Sequence, residues 1–332
     1  LATPYGLDMA DLEPGLYETL VTEGLQLRIS ALDELAQVRR LRSDETPDRI
    51  ALHLSRQIEQ ALAEVGDGDR VRIGVEVARA LIERLTDLVP STDTTSSPAG
   101  EGEVLHAVLR RQPDGGPRAI AEPLIPLLDT TLLTNSPGEP NLWNQLEAEI
   151  DSADSIDVIM AFIRKSGIRP LLPALRRHCE SGRRLRVLTT TYTGSTERAA
   201  LDQLTELGAD VQISYDLTAT RLHAKAWVFH RASGFSTAYV GSSNLTHSAQ
   251  VTGLEWNVRA SSARNPDVLA KFAAVFDSYW QGHDFVPYEP GQFDDEAERA
   301  GRVDHGPLVL LSPTELRLEP FQERLLELIE IS

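Results

Sequence analysis

A short stretch near the middle of the chain combines residue types that can cleave a phosphodiester without a metal. Its members, in order, are His223, Lys225, Gly241, Ser242, Ser243, Asn244 and Glu255. A neutral imidazole can attack phosphorus and form a covalent phosphohistidine, which divides one difficult displacement into two easier ones. A carboxylate can fix the ring tautomer and stabilise the positive charge that develops on it. Ammonium, amide and hydroxyl groups can hold the non-bridging oxygens.

Each residue of the stretch therefore has a predicted role. We expect His223 to act as nucleophile or as general acid, and Glu255 to bond to its other ring nitrogen. Lys225 and Asn244 are predicted to hold the non-bridging phosphate oxygens. Further donors are expected from the backbone and hydroxyl groups of Gly241, Ser242 and Ser243.

Strand geometry brings these residues together. Residues 222–229 read as a strand, and the two-residue period places His223, Lys225 and Trp227 on one face. Residues 237–240 read as its partner and 253–258 as a third strand, with Glu255 and Asn257 facing opposite to Trp256. Both Trp227 and Trp256 are assigned to the core, with base stacking as the alternative.

The motif resembles the signature of the phospholipase D-type phosphodiesterase superfamily. His-x-Lys at 223–225, Gly-Ser-x-Asn at 241–244 and Glu255, eleven residues past the Asn, all match by position. The chain departs at His230, where the family often has Asp, and strand parity turns this position away from His223. The resemblance covers about residues 120–285 and implies a mixed sheet flanked by helices and a reaction without metal or other cofactor.

The chain contains one copy of the motif. The other histidines lack a Lys two residues on and a following Gly-Ser-x-Asn; they are His53, His106, His178, His230, His247, His283 and His305. Family members with a single copy build the site across a two-fold axis, so the resemblance implies a homodimer in which His223 of each subunit faces the other. Such dimers are also the commonest closed assembly.

The charge of the chain bears on its substrate. The net charge is −18 over 332 residues, which affects solubility and long-range steering but leaves room for a local basic surface. Candidate nucleic-acid contacts are Arg164, Lys165, Arg169, Arg183 and Arg184. These cations favour DNA or RNA over lipid as the partner.

The texture of the sequence predicts an α/β protein preceded by a small helical domain. We expect a helical N-terminal domain over 1–90, a linker over 91–118, a phospholipase D-like nuclease domain over 119–288, and an acidic linker with the start of another domain over 289–332. In the first part we expect a short helix opening at Pro14 and helices over 46–63 and 69–88, followed by a mobile polar segment at 91–100. Beyond it, strands at 130–133, 156–163, 185–190 and 211–215 alternate with helices at 141–153, 170–179 and 195–207, and a closing helix spans 265–280.

The tail suggests a further domain. After an acidic loop at 294–298, Pro320, Phe321 and Gln322 precede an amphipathic pattern that resembles the segment before the nucleotide-binding loop of superfamily 2 helicases. No Gly-x-x-x-x-Gly-Lys-Ser/Thr sequence is present, so ATP is expected only if a helicase domain follows. An ordinary surface helix is the alternative.

Composition narrows the compartment and the function. The chain has a single cysteine, Cys179, and neither an apolar run long enough to span a membrane nor a basic-then-apolar leader. We therefore expect a cytoplasmic protein without membrane contacts. The leading hypothesis is a homodimeric, metal-independent DNA nuclease associated with a helicase in DNA repair or defence. The alternatives are a phospholipid or small phosphodiester hydrolase and a non-catalytic DNA-binding or dimerisation module of a helicase.

Overall fold

The chain divides into two compact units. The computed structural model describes residues 12, 14–30, 32, 35–109, 111, 115–117, 120, 122–134, 142–191, 196–216, 222–245 and 255–302. One unit spans Leu1–Val108 and the other Leu109–Ser332. The boundary between the units lies inside the segment 91–118 that the sequence suggested as a linker.

The first unit is helical. Its helices are α1 (Glu23–Ile29), α2 (Thr46–Ala63) and α3 (Asp67–Leu88). The ends of α2 match the amphipathic pattern, and α3 begins two residues earlier than expected. A helix opening at Pro14 is wrong, because the chain is irregular from 14 to 22 and α1 begins only where Thr22 caps it. The Thr22 hydroxyl accepts a hydrogen bond from the amide of Leu25 at 3.2 Å, which satisfies one of the free donors of the first turn.

The polar segment after α3 forms hydrogen bonds with that helix. The Arg79 guanidinium donates to the carbonyls of Pro98 at 3.1 Å and Gly100 at 2.6 Å. A short 3₁₀ turn, Thr94–Ser96, also lies against α3. Composition alone did not show that an arginine on α3 would bind the carbonyls of this segment. Mobility of residues 91–100 stays a prediction.

The second unit is built on one mixed eight-stranded sheet. Its strands are β1 (Thr131–Leu133), β2 (Ser155–Met160), β3 (Arg184–Thr190), β4 (Asp210–Ser214), β5 (Lys225–His230), β6 (Thr237–Gly241), β7 (Asn257–Ser261) and β8 (Val286–Pro287). Their order across the sheet is β1-β7-β6-β5-β2-β3-β4-β8. The pairs β2–β3 and β3–β4 are parallel and the other neighbours are antiparallel. Because the sheet is mixed and flanked by helices, the expected α/β class is confirmed.

Helices cover both faces of this sheet. They are α4 (Leu142–Ser152), α5 (Lys165–Ile168), α6 (Leu172–Glu180), α7 (Arg198–Glu206), α8 (Pro266–Gln281) and α9 (Pro290–Arg302). The largest core cluster joins α4, α6 and α7 to one face, where Ile150, Leu175 and Leu201 are fully or almost fully buried. Helix α8 packs on the other face through Leu269 and Phe276. The alternation of inward and outward residues along the strands sets the two faces apart.

The acidic segment near residue 294 forms a helix, which corrects the expected loop. Phe293 of α9 is buried and packs edge-on against Tyr288, with ring centroids 6.0 Å apart. Arg198 of α7 pairs with Asp294 on the same helix. A buried aromatic ring and an ion pair thus hold this helix to the second unit. The helicase-like segment, residues 320–322, lies outside the described residues.

A buried carboxylate ties α4 to the β5–β6 hairpin and to β7. Glu149 has no solvent exposure and accepts hydrogen bonds from Thr237 and Tyr239, each at 2.8 Å, and from Arg259 at 3.0 Å. Arg231 forms a further ion pair with it. Burial raises the pKa of the Glu149 carboxyl, but the two guanidinium groups and these hydrogen bonds lower it further, so the net pKa is below the ordinary value. The network fixes the sheet beneath the candidate site.

Candidate active site

His223 and Lys225 lie together at one end of β5. The Lys225 ammonium is 2.9 Å from Nδ1 and 3.3 Å from Nε2 of the His223 ring, and it donates to the His223 carbonyl at 2.8 Å. The strand begins at Lys225, so the expectation that His223 is a strand residue was wrong. The lysine therefore folds back over the segment that precedes its own strand.

Lys225 is buried, although its ammonium reaches the surface histidine. It is 7% exposed and lines a small cavity together with Trp227, Asn244 and Asn257. Burial lowers the pKa of the Lys225 ammonium, and the negative charge of Glu255 only partly offsets this. A cation with few water neighbours interacts strongly with an incoming anion.

The end of β6 approaches β7 so closely that residue 241 must be glycine. A Cβ atom at Gly241 would lie 2.1 Å from the Trp256 carbonyl oxygen and 2.8 Å from the Asn257 Cα. Both contacts are far shorter than van der Waals distance and both involve backbone. The Gly-Ser-x-Asn motif thus turns directly beside the segment that carries Glu255.

Ser242 and Glu255 form the next part of the site. The Ser242 hydroxyl donates to the Glu255 carboxylate and accepts from the Trp256 amide at 3.1 Å. The Ser242 amide donates to the Trp256 carbonyl at 3.1 Å. We expected Glu255 to bond to His223 of its own chain, but no hydrogen bond joins these two described residues. The carboxylate is directed to Ser242 because the 255–256 segment pairs with the end of β6.

Ser243 and Asn244 point to the inside of the sheet end. Ser243 is buried, and its hydroxyl accepts a hydrogen bond from the side-chain amide of Asn257 at 2.7 Å. The Asn244 side-chain oxygen is buried beside Lys225 and has no hydrogen-bond partner among the described residues. Rotation of the amide by 180° would exchange this oxygen for an N–H donor at the same position. A buried amide oxygen without a hydrogen-bond partner is costly unless a ligand supplies one.

Phe162 contributes to the site although no sequence pattern pointed to it. Its ring packs edge-on to the His223 ring, with centroids 5.9 Å apart. Phe162 follows the end of β2, the strand that pairs with β5. Its ring therefore limits the positions that the His223 imidazole can take. The contact depends on the pairing of β2 with β5, which no local pattern reveals.

Three of the candidate nucleic-acid contacts lie next to the motif. Ile163 forms a bridge with Leu245, and the Arg164 amide donates to the Leu245 carbonyl at 2.9 Å. The side chains of Arg164, Lys165 and Arg169 are exposed. None of the three forms an ion pair with another residue in the described part of the chain. Glu197 is nearby, where it accepts a hydrogen bond from the Lys165 amide at 2.8 Å.

Arg183 and Arg184 lie at the opposite end of the sheet. In the register, Arg184 stands opposite Ser155, whereas Lys225 stands opposite Met160 at the other end of β2. Five residues of strand amount to about 17 Å. Arg183 donates to the carbonyls of Asp151 at 2.9 Å and Ala153 at 2.7 Å, so it stabilises the end of α4. A contact of these two arginines with nucleic acid stays a prediction.

His230 lies on the sheet face opposite to Lys225. Its Nε2 is 2.7 Å from a carboxylate oxygen of Asp157, which is 1% exposed and also accepts two hydrogen bonds from Arg186 at 2.7 and 2.8 Å. Arg186 in turn pairs with Asp277 of α8 at 2.9 Å. The residue that departs from the family pattern therefore takes part in an ion-pair network beneath α8, away from the candidate site.

The two tryptophans of the motif region have different surroundings. Trp227 is 5% exposed and stacks on Phe229 in the core, as expected. Trp256 is 64% exposed, so the expectation that it belongs to the core was wrong. Its neighbour Asn257 faces the buried side of the sheet, and the alternation of the strand therefore directs Trp256 to the other side.

Among the described residues, no group of three or more His, Cys, Asp and Glu side chains is arranged to hold a metal ion. The helices in the described ranges include none with the length and apolar character of a membrane span. Independence from metal stays a prediction.

Comparison with known proteins agrees with this architecture. Residues 146–280 match the family model described as "Cardiolipin synthase, PLD-like domain", a region that runs from α4 to α8 and includes the complete motif. The match supports the phospholipase D-like phosphodiesterase superfamily for this part of the chain, and the mixed sheet with its helices is a phospholipase D-like fold. A search of the curated proteins found no match.

Solved structures with similar folds include two bacterial proteins of smaller size. Nuc from Salmonella typhimurium, described as a phospholipase D family member, is 18% identical; the match covers 48% of this chain and 98% of that chain with a TM-score of 0.39. NucT from Helicobacter pylori is 13% identical, with 48% and 99% covered and a TM-score of 0.41. Polyphosphate kinase from Porphyromonas gingivalis is 16% identical, with 45% and 25% covered and a TM-score of 0.34.

Proposed function

We propose that this protein is a metal-independent phosphodiesterase that cleaves nucleic acid, most readily DNA, through a phosphohistidine formed at His223. One observation carries the proposal: His223, the buried Lys225 and the Asn244 side-chain oxygen, which has no hydrogen-bond partner among the described residues, lie together at the end of β5 and β6. This set offers a nucleophile and at least two groups for non-bridging oxygens. The family match of the same residues to a phosphodiesterase superfamily supports the assignment.

The first step follows from the contacts of the lysine. A phosphodiester that enters the site competes with the His223 ring for the Lys225 ammonium, since an anion is the stronger acceptor. Transfer of the ammonium to a non-bridging oxygen frees the ring nitrogens. One nitrogen then attacks phosphorus, the bond to the leaving oxygen breaks, and a protonated second histidine supplies the proton to that oxygen. Water hydrolyses the phosphohistidine in the second step.

A second subunit supplies the second histidine in this proposal. One chain has a single motif, and its Glu255 is bonded to Ser242 instead of to the His223 ring. Across a two-fold axis the carboxylate of one subunit can serve the ring of the other. In the proposed homodimer, the second subunit therefore supplies both the general acid for the leaving oxygen and the carboxylate that hydrogen-bonds to the imidazole.

Nucleic acid is favoured over lipid by the cations beside the motif. Arg164, Lys165 and Arg169 are exposed and unpaired within the described residues, next to the strand end that holds Lys225. A phospholipid substrate is the second candidate, because the matching family model is described by a cardiolipin synthase. The two candidate substrates undergo the same chemistry at phosphorus and differ in the groups attached to the phosphate, which the protein must bind.

Labelled single- and double-stranded DNA incubated with the purified chain in excess EDTA tests the proposal. We expect cleavage in the presence of the chelator, and a loss of at least ~10³-fold in the His223→Ala variant because the covalent route is removed. The partly exposed His53, in α2, lies outside the motif and provides a matched control, and His53→Ala should retain activity.

Three outcomes would contradict this function. Cleavage that stops with EDTA would show a metal mechanism, and equal cleavage by His223→Ala would show a contaminant. Hydrolysis of phospholipid vesicles in the same buffer without cleavage of DNA would establish the second candidate.

A further inference from the structure

Trp256 is held firmly by its backbone while its side chain lies in solvent. The backbone amide and carbonyl both bond to Ser242 of the motif, at 3.1 Å each. The residue as a whole is nevertheless 64% exposed. A tryptophan side chain has only two rotatable bonds, so it loses little conformational freedom when it binds a flat partner. It also follows Glu255 directly, so it lies at the same end of the sheet as the candidate site, on the α8 face.

The exposure of Trp256 results from the path of α8. Near its start, Leu269 of α8 packs over Ala238 and Ala260, and near its end Phe276 packs over Ile159 and Leu188. The helix therefore crosses the sheet diagonally and leaves one corner uncovered. This uncovered corner contains Leu132, Val240 and Val258, which are 43%, 36% and 46% exposed.

The uncovered corner is continuous with Trp256. Val258 stands opposite both Leu132 and Val240 in the register, so the three side chains form one row across β1, β7 and β6. Trp256 extends this row towards the end of the sheet at which Lys225 lies. Exposed apolar surface next to a reactive site marks a place where a partner or substrate binds.

Cations flank the other side of the same site. Arg164 and Lys165 follow the end of β2, on the side of β5 away from β6 and β7. In the part of the chain that the structure describes, neither they nor Arg169 are paired with a carboxylate. Since the chain carries a net charge of −18, unpaired cations around one site select an anionic partner.

The distances between these groups suit a polymer. Strands lie about 4.8 Å apart, and β7 is two strands from β5, so the backbone of Trp256 lies on the order of 10 Å along the sheet end from that of Lys225. The Trp256 side chain is on the α8 face and the Lys225 side chain on the α4 face. The cations lie one strand away on the opposite side. A ligand that uses both flanks must therefore cross the end of the sheet with an anion in the middle, a flat apolar group at one side and further anions at the other.

We propose that Trp256 stacks on a base of a single-stranded nucleic acid whose neighbouring phosphates contact Arg164, Lys165 and Arg169. This inference rests on the proposed function and specifies its substrate. Basic tracks combined with aromatic stacking surfaces are the means by which proteins bind single strands. In a duplex, each base is already stacked on its neighbours and its face is not free. The site accordingly selects single strands or unpaired ends.

Variants at position 256 test the proposal by binding and by hydrolysis. Fluorescence anisotropy gives the Kd of a short labelled single strand, and bis-p-nitrophenyl phosphate reports the chemistry without a base. Trp256→Ala should weaken single-strand binding by roughly tenfold or more, the loss of one stacked base, while Trp256→Phe retains most of it. Hydrolysis of the small diester should be unchanged in both variants. Phe235→Ala is the matched control, because Phe235 is 41% exposed beyond the opposite end of β6. This variant should bind the single strand as the wild type does.

Each other result overturns the inference. Equal binding of single strands by Trp256→Ala would show that no base stacks there. A variant that becomes monomeric in light scattering and loses hydrolysis of the small diester would assign the uncovered corner to a second copy of the chain. Loss of binding to anionic lipid vesicles, with single-strand binding intact, would assign it to a lipid surface. Failure of the wild type to hydrolyse either diester would refute the proposed function, while the binding comparison would still decide the role of Trp256.

Discussion

At the scale of single residues, the protonation state of Lys225 decides how strongly the site binds an anion. The side chain is almost fully buried, yet its ammonium touches the His223 ring and carbonyl. Burial lowers the pKa of its ammonium from the ordinary lysine value of 10.5, and the negative charge of Glu255 only partly restores it. In the proposed mechanism the charged form holds the phosphate, so activity depends on that proton.

We predict an alkaline limit of activity that belongs to Lys225. Because the pKa is lowered, the ammonium loses its proton at a pH below the ordinary lysine value of 10.5, and kcat/KM should fall as the pH rises through that point. The pH profile of bis-p-nitrophenyl phosphate hydrolysis measures it. In Lys225→Arg the side chain stays charged, so the remaining activity should lack this alkaline fall. An unchanged alkaline limb in Lys225→Arg would assign it to another group.

At the scale of elements, the two faces of strand β5 carry different groups: one bears a residue of the candidate site, and the other bears a buried ion-pair network. Lys225 and Trp227 face α4, whereas His230 faces α8 and pairs with Asp157. The Asp157 carboxylate is 1% exposed and bonds to both His230 and Arg186. An Asp at position 230, as in the family pattern, would set two carboxylates against each other. His230 and Asp157 are therefore a matched pair in this chain.

We predict that Asp157→Asn destabilises the second unit by about 3–5 kcal/mol at neutral pH, because it leaves the Arg186 guanidinium without its buried counter-ion and disturbs the hydrogen bond with His230. Burial raises the pKa of the Asp157 carboxyl, but the hydrogen bonds from His230 and Arg186 lower it further, so the net pKa is depressed. A depressed pKa contributes stability above the unfolded value of ~3.9, and this stability is lost as the pH falls through the folded value. The difference between wild type and variant should therefore shrink in acid.

Urea unfolding of both proteins at neutral and acidic pH measures this difference. Asp277→Asn is the control, because Asp277 pairs with the same Arg186 but has a side chain that is 50% exposed. Its removal should cost no more than ~1 kcal/mol. Equal effects of the two substitutions would show that burial of Asp157 contributes nothing to its ion pairs.

At the scale of the whole molecule, the proposed mechanism depends on the assembly, because the sequence contains one copy of the motif. The proposed reaction needs two histidines at one phosphorus, and each subunit provides His223 alone. Activity should therefore depend on pairs of intact subunits instead of on single chains. Subunit mixing distinguishes the two cases.

We predict that equal amounts of wild type and His223→Ala, mixed and allowed to exchange subunits, show roughly a quarter of the activity of the same total amount of wild type, because only pairs with two histidines react. The same mixture assayed before exchange should show about half. Activity that remains at half after exchange would mean that each chain works alone, and a strict monomer in light scattering would agree with that result.

The sequence by itself determined the local features. Residue types and spacing were sufficient to predict the motif from His223 to Glu255, and strand period was sufficient to place Trp227 in the core and His230 on the opposite face. The α/β class and the ends of α2 followed from the same kind of pattern. These properties depend on neighbours within a few positions, for which the dihedral periods of helix and strand are enough.

Only the tertiary structure decided which of these residues meet and which remain exposed. Glu255 bonds to Ser242 because the segment before β7 pairs with the end of β6, and Phe162 reaches His223 because β2 lies next to β5. Trp256 shares its strand face with apolar residues, as the period predicted, but α8 crosses that face diagonally and leaves it in solvent. A period states which side chains share a face. Whether that face is buried depends on an element that packs across it from a distant part of the chain, and no local pattern contains that contact.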